Sequence, residues 1–167
     1  MKMLAYAVAA TALAGTPALA QDQFDIALQS YVDRLSADCA ALGAGTFTDA
    51  PEAVRKTSDV NGDGVTDPIV DAGAMSCSSS ATLTAGGSGG REISVFVSQD
   101  DGAFERFIFL GDGMLPLTLG RVTVLIVPKH GSSCGLTGTA PCYAAYSWAE
   151  GGFVSGGGRV DPASDGE

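Results

Sequence analysis

The sequence predicts an α+β fold, one N-terminal amphipathic helix packed on a mostly antiparallel β-sheet, and three observations carry that expectation. Apolar residues recur at helical steps early in the chain, and from residue 53 onward the pattern changes to short alternating segments. Gly, Asp, Ser and Pro punctuate those segments, as turns between strands require. Four cysteines supply the material for disulfide staples. A length of 167 residues sets the expectation of a single domain.

Residues 1–20 read as a leader and not as part of that domain. Met1-Lys2-Met3 is a short positive start, Leu4 to Ala14 is almost wholly apolar, and Ala18-Leu19-Ala20 has the small residues of a signal-peptidase site. The apolar run is too short to span a bilayer, and no cysteine follows the expected cut to carry a lipid. The domain then occupies residues 21–155. Phe24, Leu28, Tyr31, Leu35 and Leu42 define the apolar stripe of a helix over 22–42, with Cys39 close to it. Asp22 suits the first turn and Gly43 the stop. Arg91 to Gln99 alternates, with Ile93, Val95 and Val97 on one face and Glu92, Ser94 and Ser98 on the other, interrupted by Phe96. Asp100-Asp101-Gly102 is a hairpin turn, since Gly can take the positive φ it needs, and Ala103 to Leu110 is the returning strand. Arg121 to Val127 is a nearly unbroken apolar and β-branched run, which predicts a central strand buried on both faces and ended by Pro128. Cys142 to Trp148 and Phe153 to Ser155 complete the set. Residues 156–167, opening on glycines, are expected to form a disordered tail.

Nineteen acids against nine bases give a formal charge of −10. That balance argues against nucleic acid and anionic lipid as partners, and no membrane insertion is expected once the leader is removed. An even set of cysteines behind a leader implies a disulfide framework. Four thiols allow three pairings. Cys134–Cys142, which closes a short Gly-rich loop, and then Cys39–Cys77 are the expected bridges. The spacings lack the close CxxC pairs of a thiolate metal site.

The segment from Asp59 to Asp67, DVNGDGVTD, carries the most chemistry. Oxygen side chains of Asp59, Asn61, Asp63 and Asp67 fall at positions 1, 3, 5 and 9, Gly64 stands at position 6, and the Val65 carbonyl follows at position 7. Such spacing wraps a chain around one hard cation. An all-oxygen set with three carboxylates suits Ca2+, which accepts loose geometry, better than Mg2+, which demands a strict octahedron. The competing description is a metal-free Asx-rich turn, because Asn, Asp and Gly dominate turns of every kind. A bound ion would remove the mutual repulsion of the acids, and its expected role is structural.

The segment resembles the DxNGDGxxD calcium loops of dockerins and of FG-GAP (VCBS)-type secreted β-domains. The resemblance implies Asp59, Asn61, Asp63 and Asp67 as side-chain ligands and Val65 as a backbone ligand. It departs from a full EF-hand, where a bidentate Glu stands at position 12; here that residue is Val70, with Asp71 one place later. Together with Pro68, this implies a short loop between strands. Further on, His130-Gly131-Ser132-Ser133-Cys134-Gly135 and Pro141-Cys142 are similar to an HGxxCGxxGxxPC pattern of small secreted proteobacterial proteins, a resemblance that brings no activity with it.

His130 is the only histidine and therefore the one candidate for a general base at neutral pH. No GxSxG elbow, HExxH or phosphate loop accompanies it. A His bonding the adjacent disulfide loop is the simpler role. Tyr143, Tyr146 and Trp148 are either core residues or an exposed aromatic strip. The leading expectation is an exported, non-catalytic binding or structural domain with one Ca2+ loop, facing an unidentified protein or carbohydrate in the periplasm or outside. The alternatives are a small hydrolase using His130 and an enzyme inhibitor presenting the 128–142 disulfide loop.

Overall fold

The computed structural model describes residues 17–56, 58–138, 140, 142–155 and 158–160. Of the expected leader, residues 1–20, the stretch 1–16 lies outside them. Helix α1 spans Pro17–Ala41 and, of the expected stripe, buries Phe24, Tyr31 and Leu35 together with the neighbouring Cys39, while Leu28 is half-buried. Leu42 falls beyond its end, in the turn that continues through Gly43 (φ 100°), and is exposed. The helix also begins earlier than residue 22. Its buried stripe nevertheless starts at Phe24, and Leu19 is exposed, so a chain beginning at Gln21 keeps every core contact of this stripe.

Strands β1 (Phe47–Thr48) and β4 (Ser76–Cys77) pair as a small ribbon. Strands β2 (Val54–Arg55), β3 (Ile69–Asp71), β5 (Arg91–Ser98) and β6 (Phe104–Gly111) form one sheet in the order β2-β3-β5-β6. Strands β7 (Leu115–Leu119), β8 (Val122–Lys129), β9 (Cys142–Ala149), β10 (Gly152–Ser155) and β11 (Gly158–Val160) form a second in sequential order. All named strand pairings are antiparallel. A one-turn helix, α2 (Thr82–Ala85), precedes β5.

The single expected sheet is therefore two, and the molecule has three layers. Between the sheets lies a core of Ile69, Ile93, Val95, Val97, Phe107 and Phe109 from the first and Leu125, Val127 and Phe153 from the second. On the opposite face of the first sheet, α1 packs Phe24, Tyr31 and Leu35 against Val70 and Phe96. This explains why Phe96 interrupts the alternation of β5. That strand is covered on both faces, so its second face also needs an apolar residue.

Two strand expectations are corrected. β8 is not buried on both faces: Thr123, Leu125 and Val127 point inward, while Val122 is exposed and Val124 and Ile126 only half-buried. Nor does Pro128 end it. Its carbonyl still accepts from Asp112 N–H at 2.9 Å, and the strand runs on to Lys129. The tail is corrected in part, since residues 158–160 pair with β10 through Phe153↔Val160 and Ser155↔Gly158. The intervening Gly156-Gly157 that suggests a tail has equally the composition of a two-residue hairpin turn.

Both disulfides are present as expected, Cys39–Cys77 tying the end of α1 to β4 and Cys134–Cys142 closing the loop before β9. Two such bridges are the mark of an oxidising compartment. Among the described residues no helix is long and apolar enough to cross a membrane.

Candidate metal centre

The 59–67 segment runs between β2 and β3 and lies against the end of β5. Its shape is set by carboxylates accepting backbone N–H groups. Asp59 accepts from Gly62 and Gly64 at 2.7 and 3.0 Å, and Asp63 accepts from Val65 at 2.7 Å. Gly62 and Gly64 have φ of 84° and 87°, the left-handed region that a side chain disfavours, which is why glycine recurs between the acids. From the second sheet, the Thr123 hydroxyl donates to the Asp59 carbonyl at 2.8 Å and pins the start of the loop.

Asp67 is the innermost member, fully buried. Its carboxylate accepts from Val60 N–H at 2.7 Å, from Ser98 N–H at 2.8 Å and from the Ser98 hydroxyl at 2.9 Å. Burial pushes its carboxyl up to about 6, the Ser98 and Val60 donors pull it back, and the Asp63 charge adds to the rise. The Ser98 hydroxyl also lies 2.7 Å from Asp63 Oδ2. One hydroxyl proton thus faces two carboxylates and can satisfy only one of them. Asn61 completes the clasp by donating to the Ser98 carbonyl at 2.9 Å and to Asp63 at 3.1 Å.

The loop thus brings Asn61, Asp63 and Asp67 together around Ser98, with Asp59 folded onto the neighbouring glycine N–H groups. Among the described residues, no three His, Cys, Asp or Glu side chains stand close enough to form a ready metal cluster. The loop oxygens are instead committed to N–H donors. A carboxylate has about four lone-pair sites, however, and these hydrogen bonds leave some of them open. The donor set therefore fits a hard cation in chemistry. Val70 and Asp71 take no part. Val70 is core, and Asp71 pairs with Arg91 at 2.6 and 2.9 Å and accepts Gly73 N–H at 3.0 Å. Burial alone would raise the Asp71 carboxyl, but the Arg91 and Gly73 donors outweigh it and hold it low.

Ser98 and Thr123 are the participants that sequence reasoning missed. Both are buried polar residues on strands, and neither carries a spacing signal. Beside the loop, Gln99, Asp100, Asp101 and Trp148 border an open cleft.

His130 lies in a different place. Its Nδ1 is 2.7 Å from the Ser132 hydroxyl, two residues on, at the start of a short 3-10 turn, Gly131–Cys134, that leads into the disulfide. This is the geometry of a local turn contact. Of the three β9 aromatics, Tyr146 and Trp148 pack edge-on against Phe109 and Phe107, whereas Tyr143 points outward and is exposed. They do not form a continuous strip.

No protein-family model, curated protein or solved structure matches the chain. What fold and site define is a disulfide-stapled α+β domain carrying an acidic Asx loop between two strands. A fold does not by itself supply a function, so the reading must come from the loop.

Proposed function

We propose that this chain is an exported, non-catalytic binding or structural domain in which Asp59, Asn61, Asp63, Asp67 and the Val65 carbonyl hold one structural Ca2+. The observation that carries the reading is the Ser98 hydroxyl placed between Asp63 and Asp67, two carboxylates with one proton to share. A cation held by the same oxygens relieves that deficit. The binding half of the reading draws support from the outer face of the second sheet. There Leu115, Leu117, Leu119, Val122 and Tyr143 are all exposed, and patches of that kind mark contact surfaces for other proteins. Export rests on residues 1–20. The exported form is expected to begin at Gln21, and its intact mass should lie four hydrogen atoms below that of the reduced chain. Retention of the leader after export, or alkylation without reduction, would refute this.

Thermal melts in chelator and in millimolar Ca2+ test the metal. Stability should rise as RT ln(1 + [L]/Kd), about 2.7 kcal/mol at a hundredfold excess over Kd. Asp63→Ala should lose most of that gain. Asp71→Ala should keep the gain while melting lower in both buffers, because its Arg91 pair serves the sheet and not the loop. Asp67→Ala should melt lower even in chelator. It orphans two buried N–H donors at about 1–3 kcal/mol each, offset in part by removal of a buried charge. Identical wild-type melting in the two buffers would end the calcium reading.

A further inference from the structure

We propose that the cleft between α1 and the β5–β6 hairpin binds a small monocarboxylate with an apolar body, recognised by Arg34 and Tyr31. The cleft encloses about 330 Å³ and is lined by Ala27, Tyr31 and Arg34 from the helix and by Phe96, Phe104 and Arg106 from the sheet. That volume is at the lower end of small-molecule sites. This proposal is independent of the calcium loop.

Two buried donors in this cleft make no hydrogen bond of good geometry among the described residues: the Tyr31 hydroxyl, which has Glu92 and Ser94 as its polar neighbours, and Arg34 Nε. Tyr31 is 3% exposed, so bulk water does not serve its hydroxyl. An orphaned buried donor costs about 1–3 kcal/mol, and native proteins leave few of them. Here two stand three residues apart on one helix face and line the same space. What is missing is an acceptor aligned with both donors, and one carboxylate brings two acceptor oxygens.

The surrounding charges favour an anion over a neutral acceptor. The guanidinium groups of Arg34 and Arg106 sit 5.2 and 5.0 Å from the centre of the Tyr31 ring. Arg106 bonds Glu92 at 3.1 Å and is nearly buried. Arg34 reaches Glu92 and Asp38 only at 3.5 Å each, and Asp38 is half-exposed, where screening weakens the pair. The part-buried Glu92 carboxylate thus faces both guanidiniums, and Arg106 also reaches the Ser94 hydroxyl at 3.5 Å. Burial, followed by the charge and the side-chain contact of Glu92, raises the Tyr31 hydroxyl well above its ordinary range against a smaller pull from Arg34 and Ser94, so it stays protonated and able to donate. Ala27, Phe96 and Phe104 form apolar walls that inorganic phosphate would leave uncovered, and these select a carboxylate with a hydrocarbon body.

Benzoate, its neutral counterpart benzamide, and inorganic phosphate are the probes, titrated into the full exported protein at constant ionic strength and followed by heteronuclear NMR. Benzoate should give saturable shifts confined to residues 27–34 and 96–106, with benzamide and phosphate each about tenfold weaker or more. Arg34→Gln should weaken benzoate by about tenfold or more, and Tyr31→Phe by a smaller factor. Tyr31→Phe should melt no lower than the wild type, since it deletes an unpaired hydroxyl, which keeps a binding loss distinct from misfolding. Absence of saturable benzoate shifts, equal binding of benzamide or phosphate, or undiminished benzoate binding by Arg34→Gln would each overturn the proposal.

Discussion

Phe153→Ala is expected to lower the unfolding free energy by about 3–5 kcal/mol, as large aromatic truncations in well-packed cores do. Phe153 sits on β10, is fully buried, and meets Phe107, Phe109 and Trp148 edge-on at 5.3, 5.1 and 5.2 Å. Its partners come from both sheets, so its ring is the point where the sheets are joined. Truncation leaves a cavity that three rigid rings cannot collapse to fill, which places the loss toward the upper end. Phe153→Leu keeps most of the volume and should cost about 1.5 kcal/mol or less. Urea titrations give both values, with the slope unchanged if the native state stays compact. A loss below about 1 kcal/mol for the alanine variant would contradict the packing between the sheets.

That junction shows what a sequence reveals and what it withholds. The α1 stripe was readable because Phe24, Tyr31, Leu35 and Cys39 obey a helical period that has one cause, burial of one face. The β5–β6 hairpin was readable because Gly102 follows two aspartates between alternating segments. The Gly102 N–H bonds the Gln99 carbonyl at 2.8 Å, as that turn demands. The bridges followed from loop length and elimination. Period-two patterning, however, says which residues share a face and not what covers it. Val122, Val124 and Ile126 are as apolar as their inward neighbours, so composition alone made β8 a central strand when its outer face is open. The division into two sheets left no mark, because it depends on which strands meet across the core.

The site divides in the same way. The spacing of Asp59, Asn61, Asp63 and Asp67 is local and could be read directly. The contributions of Ser98 and Thr123 are long-range, set by β3–β5 pairing and by the approach of β8. The cleft over Tyr31 was hidden for the same reason. Arg34 and Arg106 are unremarkable on a helix and a strand until packing brings both guanidiniums onto one ring.

Replacing both Cys39 and Cys77 by alanine is expected to cost about 3.9 kcal/mol on the chain-entropy model, against about 2.6 kcal/mol for the pair Cys134 and Cys142. The difference follows from loop size, since the bridged residues are 38 apart in one case and 8 in the other. Alanine is the better replacement because Cys39 and Cys77 are buried, and serine would add hydroxyls needing partners. The first bridge fixes the C-terminal end of α1 to the β1–β4 ribbon, and that ribbon offers only two residue pairs of its own. Without the bridge, the last turns of α1 should open more readily than the rest of the helix. Amide exchange is expected to accelerate around residues 35–41 while β5 and β6 stay protected. Paired denaturation and exchange measurements on the two double variants decide the matter. If the Cys134/Cys142 variant lost more stability than the Cys39/Cys77 variant, the 131–142 loop, and not the helix staple, would be the principal anchor of the fold.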